Sequence, residues 1–273
     1  MNTHTEHESG NGPENPGNHD PLNPNELPFV APCKILDTFA AFNWLKLGWQ
    51  DIKRAPKQSL TYGAVMFAIS YLISIISYQI GDVYLLAAML SGFLLMGPVL
   101  AIGLYSISCQ LQNNLPPRLG YCLREGTRHL SNEMIFAAIL LVVFLIWARA
   151  AAMLHVFFPV EAQPKWEDLV VFLGIGSAVG AIFATIIFSA AAFSLPMIMD
   201  KKVDMITAII TSVNAVLRNK KAMLVWAIII LSCVIIGILT AFIGLIILLP
   251  LIGHATWHAY QETIEAVAWP EHD

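Results

Sequence analysis

The sequence predicts an all-α integral membrane protein with six transmembrane helices in three hairpins, each hairpin preceded by an amphipathic helix at the cytoplasmic interface. Its 273 residues are 57% hydrophobic and only 12% charged, far from the composition of soluble domains. Lys and Arg are also distributed unevenly between long apolar blocks. The blocks are residues 60–80, 84–108, 134–158, 169–196 and 222–260.

Block length predicts the number of spans. About 20 helical residues, rising about 1.5 Å each, cross a hydrocarbon core of about 30 Å, so each of the first four blocks fits one span. The fifth block is long enough for two spans, 222–240 and 242–260, joined by a tight turn near Thr240. The membrane domain is predicted to cover residues 34–260. A disordered polar tail, residues 1–33, precedes it, and a short acidic tail, residues 261–273, follows it.

The basic residues predict the orientation. Of the 15 Lys and Arg residues, Lys165 alone falls on one side of the predicted spans, and Arg149 falls inside a span. The other 13 share the opposite side, and the positive-inside rule places that side and both termini in the cytoplasm. This basic face is expected to attract membrane lipids with anionic headgroups. Nucleic acid is not an expected partner, because the chain has no folded basic module.

Each pair of spans follows an amphipathic segment, which suggests a threefold internal repeat. The second segment covers residues 116–130, and the third begins at a predicted N-cap, Asp204. Any six-span protein with basic loops would share part of this pattern, so a chance likeness stays open. In the first segment, four apolar residues share one helical face at spacings of three and four: Phe42, Leu45, Trp49 and Ile52.

Four stretches carry a resemblance to a known family. They are GWQDIKRAPKQSLTYG (48–63), FLLMGPVLAIGLYSIS (93–108), SLPMIMDKKVDMITAIITS (194–212) and PLIGHATWHAY (250–260). Together they resemble the bacterial family of predicted integral membrane proteins called domain of unknown function 2189. The resemblance implies a six-helix inner-membrane protein and implies no activity.

His254 and His258 are the sharpest candidate pair for a metal or haem site. They stand four residues apart and so project from one helical face. A metal needs three or four ligands, and the only other histidines of the folded part are His129 and His155, the latter near the opposite membrane face. We therefore predict no metal, haem or other cofactor. A contact of this pair with the charged loop at residues 200–204 is expected instead.

Four further charged residues are candidates for functional polar contacts, and one of them, Arg149, lies inside a predicted span. A charge inside a helical span costs at least about 2.5 kcal/mol unless it is paired or reaches the headgroups, so Arg149 is predicted to be an outward-reaching anchor. Contact with a substrate or lipid is the alternative. Asp200, Lys201 and Asp204 follow Pro196, where a helix exit and an N-cap are expected and an effector contact is the alternative.

Aromatic residues near span ends are predicted to be interfacial anchors. These are Trp44, Trp49, Trp166 and Trp257.

The sequence contains no catalytic motif such as a P-loop, H-E-x-x-H or G-x-S-x-G, and no acidic residue lies in mid-span. We therefore predict a non-enzymatic protein, without catalytic residues, that binds lipids or partner membrane proteins through its basic cytoplasmic face. Two alternatives stay open. One is a transporter or channel for a small or amphipathic solute, and the other is a haem- or metal-associated respiratory-type membrane subunit built on His254 and His258.

Overall fold

The computed structural model describes residues 28–80, 101–118, 130–157 and 166–271. Within these ranges the chain forms nine helices. They are α1 (Ala40–Arg54), α2 (Pro56–Ile80), α3 (Ile102–Gln112), α4 (Leu130–Phe157), α5 (Trp166–Ala191), α6 (Ser194–Asp200), α7 (Met205–Arg218), α8 (Lys220–Leu239) and α9 (Leu245–Thr263).

Two amphipathic helices pass almost directly into apolar ones. Only Ala55 separates α1 from α2, and the proline that opens α2 suits a first helical position because its missing N–H needs no partner there. Only Asn219 separates α7 from α8. These two helices match the first and third predicted amphipathic segments, whereas most of the second, residues 116–130, lies outside the described residues.

The buried core lies at one end of the molecule, in a unit that we call the cap, formed by residues 28–59, 101–118, 187–226 and 253–271. Five large aromatic side chains at its centre are at most 3% exposed. Two of them meet edge to face, with ring centroids 5.6 Å apart, a favourable geometry for aromatic pairs. The five are Trp44, Trp226, Trp257, Tyr260 and Trp269.

Outside the cap, long helices present apolar side chains outward. Leu72 of α2, Ile182 of α5 and Leu231 of α8 are each 58–61% exposed. In the described part of the chain, three helices are long and apolar enough to cross a membrane: Pro56–Ile76, Gly174–Asp200 and Lys220–Leu239. At most a third of each is buried. Helices that are apolar all round and unburied need an apolar solvent, which only a bilayer supplies.

The described residues establish an all-helical membrane protein but not six crossings. Most of the predicted span 84–108 is undescribed, and its end belongs to α3, which packs inside the cap. Leu104 and Ile107 of α3 have no exposed surface. The hydropathy of this stretch therefore reflects burial against protein as well as against lipid.

Helix α9 is the central element, and glycines bring its neighbours close to it. A Cβ on Gly48 of α1 would lie 2.8 Å from the amide nitrogen of Ala255. A Cβ on Gly63 of α2 would overlap the backbone carbonyl of Ile246. Such close backbone approach is typical of small residues at membrane helix interfaces.

Residues 28–33, expected to belong to a disordered tail, and residues 261–271 of the short acidic tail both contribute to the cap. Ala31 is 1% exposed and Trp269 is 3% exposed. The Lys34 amide donates to the Thr263 carbonyl at 2.9 Å. The average polarity of each tail concealed these few buried residues, and residues 1–27 and 272–273 lie outside the described part.

Candidate functional site

The predicted histidine pair lies in a buried hydrogen-bonded group that we call the polar cluster: Asp51, Ser59, Ser108, His254 and His258. His254 has no exposed surface. Its Nε2 lies 2.9 Å from Ser59 Oγ and its Nδ1 lies 2.7 Å from Ser108 Oγ. Ser108 donates to Asp51 Oδ2 at 2.8 Å, and His258 Nε2 lies 2.8 Å from the same oxygen. The cluster joins α1, α2, α3 and α9.

The direction of these bonds fixes the tautomer of His254. Ser108 gives its one hydroxyl proton to Asp51, so its oxygen must accept from the Nδ1–H of His254. The Nε2 of a neutral imidazole then accepts from the Ser59 hydroxyl. Both ring nitrogens of His254 and the hydroxyls of Ser59 and Ser108 thus each have a partner of the right kind, as a buried network requires.

The apolar residues of α1, predicted to face lipid or the helix bundle, are divided between exposed and buried positions. Phe42 is 57% exposed and Trp49 is 42% exposed, whereas Ile52 is buried. The buried stripe runs at spacings of three and four through Trp44 and through small or polar residues, which allow α9 to approach closely. It comprises Ala41, Trp44, Gly48, Asp51 and Ala55.

Two of the four predicted interfacial tryptophans lie in the core. Trp44 has no exposed surface and its Nε1–H donates to Glu262 at 2.5 Å. Trp257 is 1% exposed and donates to Gln112 at 3.0 Å. An indole N–H that finds a protein partner can be buried, whatever its distance from a span end. Trp49 and Trp166 are exposed, at 42% and 76%.

The charged loop after α6 makes its own contacts. Asp200 accepts a hydrogen bond from the Tyr260 hydroxyl at 2.7 Å, and Lys201 lies 2.9 Å from Glu271. The hydrogen bond from Lys201 lowers the pKa of Glu271. The described hydrogen bonds of His254 and His258 go to the polar cluster rather than to this loop. The contact between α9 and the loop, which was expected from the histidines, is made instead by Tyr260 in the next turn of α9.

Asp204 caps α7, as predicted. Its carboxylate accepts from the Thr207 amide at 2.9 Å. Partial burial acts to raise the pKa of Asp204, but the hydrogen bonds from Thr207 outweigh it and the pKa is lowered. Arg149 lies on an exposed face of α4. Its expected acidic partners were Glu161, Glu167 and Asp168; Glu161 lies outside the described residues, and the anchoring role of Arg149 stays a prediction.

The geometry limits what chemistry the polar cluster can perform. Ser59 and His254 are paired like a nucleophile and its base. Both, however, have no exposed surface, so no substrate reaches the hydroxyl in this conformation. Within the described ranges, no group of three or more His, Cys, Asp or Glu residues could hold a metal ion.

Fold and site together define an integral membrane protein whose helices converge on a packed cap. The model of a family described as predicted integral membrane protein (DUF2189), of unknown function, matches residues 85–200, which is less than half of the chain. That match confirms the resemblance drawn from the motifs in this stretch. No curated protein and no solved structure matches the chain.

Proposed function

We propose that the protein is a non-enzymatic inner-membrane protein that binds anionic lipid headgroups through the cytoplasmic cap, with both termini in the cytoplasm. The observation that carries the proposal is a surface that we call the rim, the outward face of α1 and the start of α2. It comprises Phe39, Phe42, Lys46, Trp49, Lys53, Arg54 and Lys57.

The rim combines the two residue types that favour a membrane surface. Phe39 is 65% exposed, and its ring packs against that of Phe42 with centroids 6.2 Å apart. Beside these aromatic residues, Lys46, Lys53 and Arg54 are all exposed. Aromatic side chains favour the headgroup level. Each Lys or Arg near an anionic surface adds about 1 kcal/mol of attraction.

The position of the rim fits this role. Helix α2, which is apolar enough to cross a membrane, begins two residues after α1 ends. The junction of α7 and α8 has the same character: Leu217 is 56% exposed, and Arg218, Lys220 and Lys221 are exposed beside it. Two junctions of the same composition at one end of the molecule support a cap that rests on one headgroup layer.

One observation favours the second candidate, a protein that binds or moves a small solute. A cavity of about 760 Å³ lies between α3, α9 and the C-terminal segment. Its lining includes Gln110, Gln112, Asp200, Lys201 and Tyr260. The haem-associated alternative has weaker support, because both ring nitrogens of His254 already have hydroxyl partners.

Lipid retention tests the proposal. The purified full chain, in nanodiscs of phosphatidylcholine with phosphatidylglycerol, is expected to hold phosphatidylglycerol preferentially by native mass spectrometry. Lys53→Gln with Arg54→Gln should weaken that retention roughly 30-fold, the equivalent of about 1 kcal/mol for each charge.

The matched control is Lys201→Gln with Lys202→Gln, which removes two charges of the loop after α6, whose described contacts go to Glu271 and Pro270 rather than to α1. This control should retain phosphatidylglycerol like the parent protein. No preference for phosphatidylglycerol, or an equal loss in both double variants, would contradict binding at the rim.

A further inference from the structure

The cavity of about 760 Å³ lies at the polar end of α9. Its lining residues on α9, among them Trp257 and Tyr260, belong to the last two turns of the helix. The other end of α9 follows a turn whose apolar side chains are exposed, with Leu239 at 80%. Lys34 and Glu265, which also line the cavity, are about half exposed. A ligand of this cavity therefore enters from water rather than from the hydrocarbon.

Lys201 is the cavity's largely buried cation. Its side chain is only 12% exposed, and its Nζ lies 2.9 Å from Glu271 Oε1. Asp200 Oδ2 is farther from the same Nζ, at 3.9 Å, and already accepts from the Tyr260 hydroxyl at 2.7 Å. A buried ammonium needs a close anion. In this structure the Glu271 carboxylate is that anion.

The Glu271 carboxylate is a partner that a ligand can displace. Its side chain is 81% exposed, and an ion pair with one exposed partner is weak. The segment before it is held independently, because Trp269 is 3% exposed and the Pro270 carbonyl accepts from the Lys202 amide at 2.8 Å. The Glu271 side chain can thus rotate into water while the segment stays in place. A carboxylate from solution would then meet Lys201.

The other charges of the cavity limit which carboxylate fits. Besides Glu271, the lining holds two lysines, Lys34 and Lys201, and two carboxylates, Asp200 and Glu265. Lys34 and Glu265 are loosely paired, 3.9 Å apart. Because these four charges balance, a simple anion would add uncompensated negative charge beside two carboxylates, and like charges placed together are costly. A zwitterion brings its own ammonium and keeps the balance.

The neutral lining adds an oriented donor and an apolar wall. Gln112 Oε1 accepts from Trp257 Nε1–H at 3.0 Å, which fixes the amide and leaves its N–H₂ group to donate to a ligand. Leu115, Met199 and Ile264 supply apolar surface. Ligand pockets typically combine apolar walls with a few placed polar groups. This wall suits an aliphatic side chain.

We infer that the cavity binds a small soluble zwitterion with an aliphatic side chain, the chemistry of a free amino acid, whose carboxylate displaces Glu271 from Lys201. The ammonium of the ligand meets the carboxylates of Asp200 and Glu265. Glu271 is thus a built-in competitor. The inference gives a ligand class to the second candidate function above. It does not depend on headgroup binding at the rim, so either can fail alone.

Calorimetric titration of the purified full chain in nanodiscs tests the ligand class. The probe is leucine, and two analogues each lack one of its charges: 4-methylpentanoate has no ammonium, and leucinamide has no carboxylate. Leucine is expected to bind saturably. Each analogue should bind at least about tenfold more weakly, since each loses hydrogen bonds between charged groups.

Two variants test the residues. Lys201→Gln should weaken leucine binding at least about tenfold, whereas Lys202→Gln, the matched control, changes an exposed neighbour outside the lining and should bind like the parent. Glu271→Gln removes the competitor and should tighten binding up to about fivefold, the upper range for an ion pair with one exposed partner. Because Glu271 is at the surface, this variant is expected to fold even if Lys201→Gln does not.

Absence of saturable leucine binding by the parent protein would overturn the inference. Equal affinity for leucine and 4-methylpentanoate would overturn the zwitterion, and equal affinity for leucine and leucinamide would overturn the role of Lys201. Unchanged or weaker binding by Glu271→Gln would show that Glu271 is not a competitor. Each variant must match the parent in size-exclusion profile, which separates lost binding from misfolding.

Discussion

Replacing Gly63 by alanine is expected to lower the free energy of unfolding by about 3 kcal/mol, at the upper end of the usual cost of overpacking. The added methyl would overlap the Ile246 carbonyl, which is backbone and cannot rotate away. Helices α2 and α9 would have to separate. Unfolding by sodium dodecyl sulfate, followed by circular dichroism in mixed micelles, measures the loss.

Gly174→Ala on α5 is the matched control, because a Cβ there meets no atom within 4 Å. Alanine is also the better helix former, by about 1 kcal/mol. This control is expected to be neutral or slightly stabilising. Similar losses in both variants would mean that Gly63 matters for helix propensity or insertion rather than for close contact with α9.

Removing the carboxylate with Asp51→Ala should cost about 3 kcal/mol, since it leaves one buried and one partly buried donor without their acceptor. Those donors are the Ser108 hydroxyl and His258 Nε2–H, both 2.8 Å from Asp51 Oδ2. Asp51→Asn, which keeps one acceptor oxygen, should lose less. The same detergent titration measures both variants.

Glu265→Ala controls for loss of an acidic side chain. Glu265 is half exposed and lies 3.9 Å from Lys34, and such surface pairs contribute at most about 1 kcal/mol. If Asp51→Ala cost no more than this control, Asp51 would not be the acceptor that holds the polar cluster together.

Composition and hydropathy predicted the helical membrane class but not which face of α1 packs against protein. The spacing of Phe42, Trp49 and Ile52 left open whether their face meets lipid or the helix bundle. Beside a bilayer, large apolar residues can face lipid while small ones face protein. The small residues Gly48 and Ala55, which lie on one stripe, indicated the face of α1 that packs against protein.

Two of the five residues of the polar cluster were recognisable in the sequence. His254 and His258 stand out because residues four positions apart on a helix lie on the same face. Asp51, Ser59 and Ser108 come from three other helices, and single polar residues in apolar helices give no signal without tertiary contacts. The tight approach of α1 to α9 at Gly48 is what brings Asp51 to the histidines.

Hydropathy also did not separate the residues of α8 that pack against protein from those that face lipid. Lys220–Leu239 has the length and composition of a span. Its first two turns, with Met223 and Trp226 at 1% exposure, belong to the cap. A linear sequence does not separate residues that are buried in protein from residues that are buried in lipid.

The most direct test of the membrane-bound cap is the depth of α1. Spin labels are attached at Phe42→Cys on the rim and at Glu265→Cys, each in a variant whose four native cysteines are replaced by alanine. The two labels are compared in liposomes containing phosphatidylglycerol. Power saturation should show the Phe42→Cys label colliding more with oxygen than with a water-soluble nickel chelate, and the Glu265→Cys label doing the opposite. Equal, high collision with the nickel chelate at both positions would place the rim in water and contradict docking of the cap on the membrane.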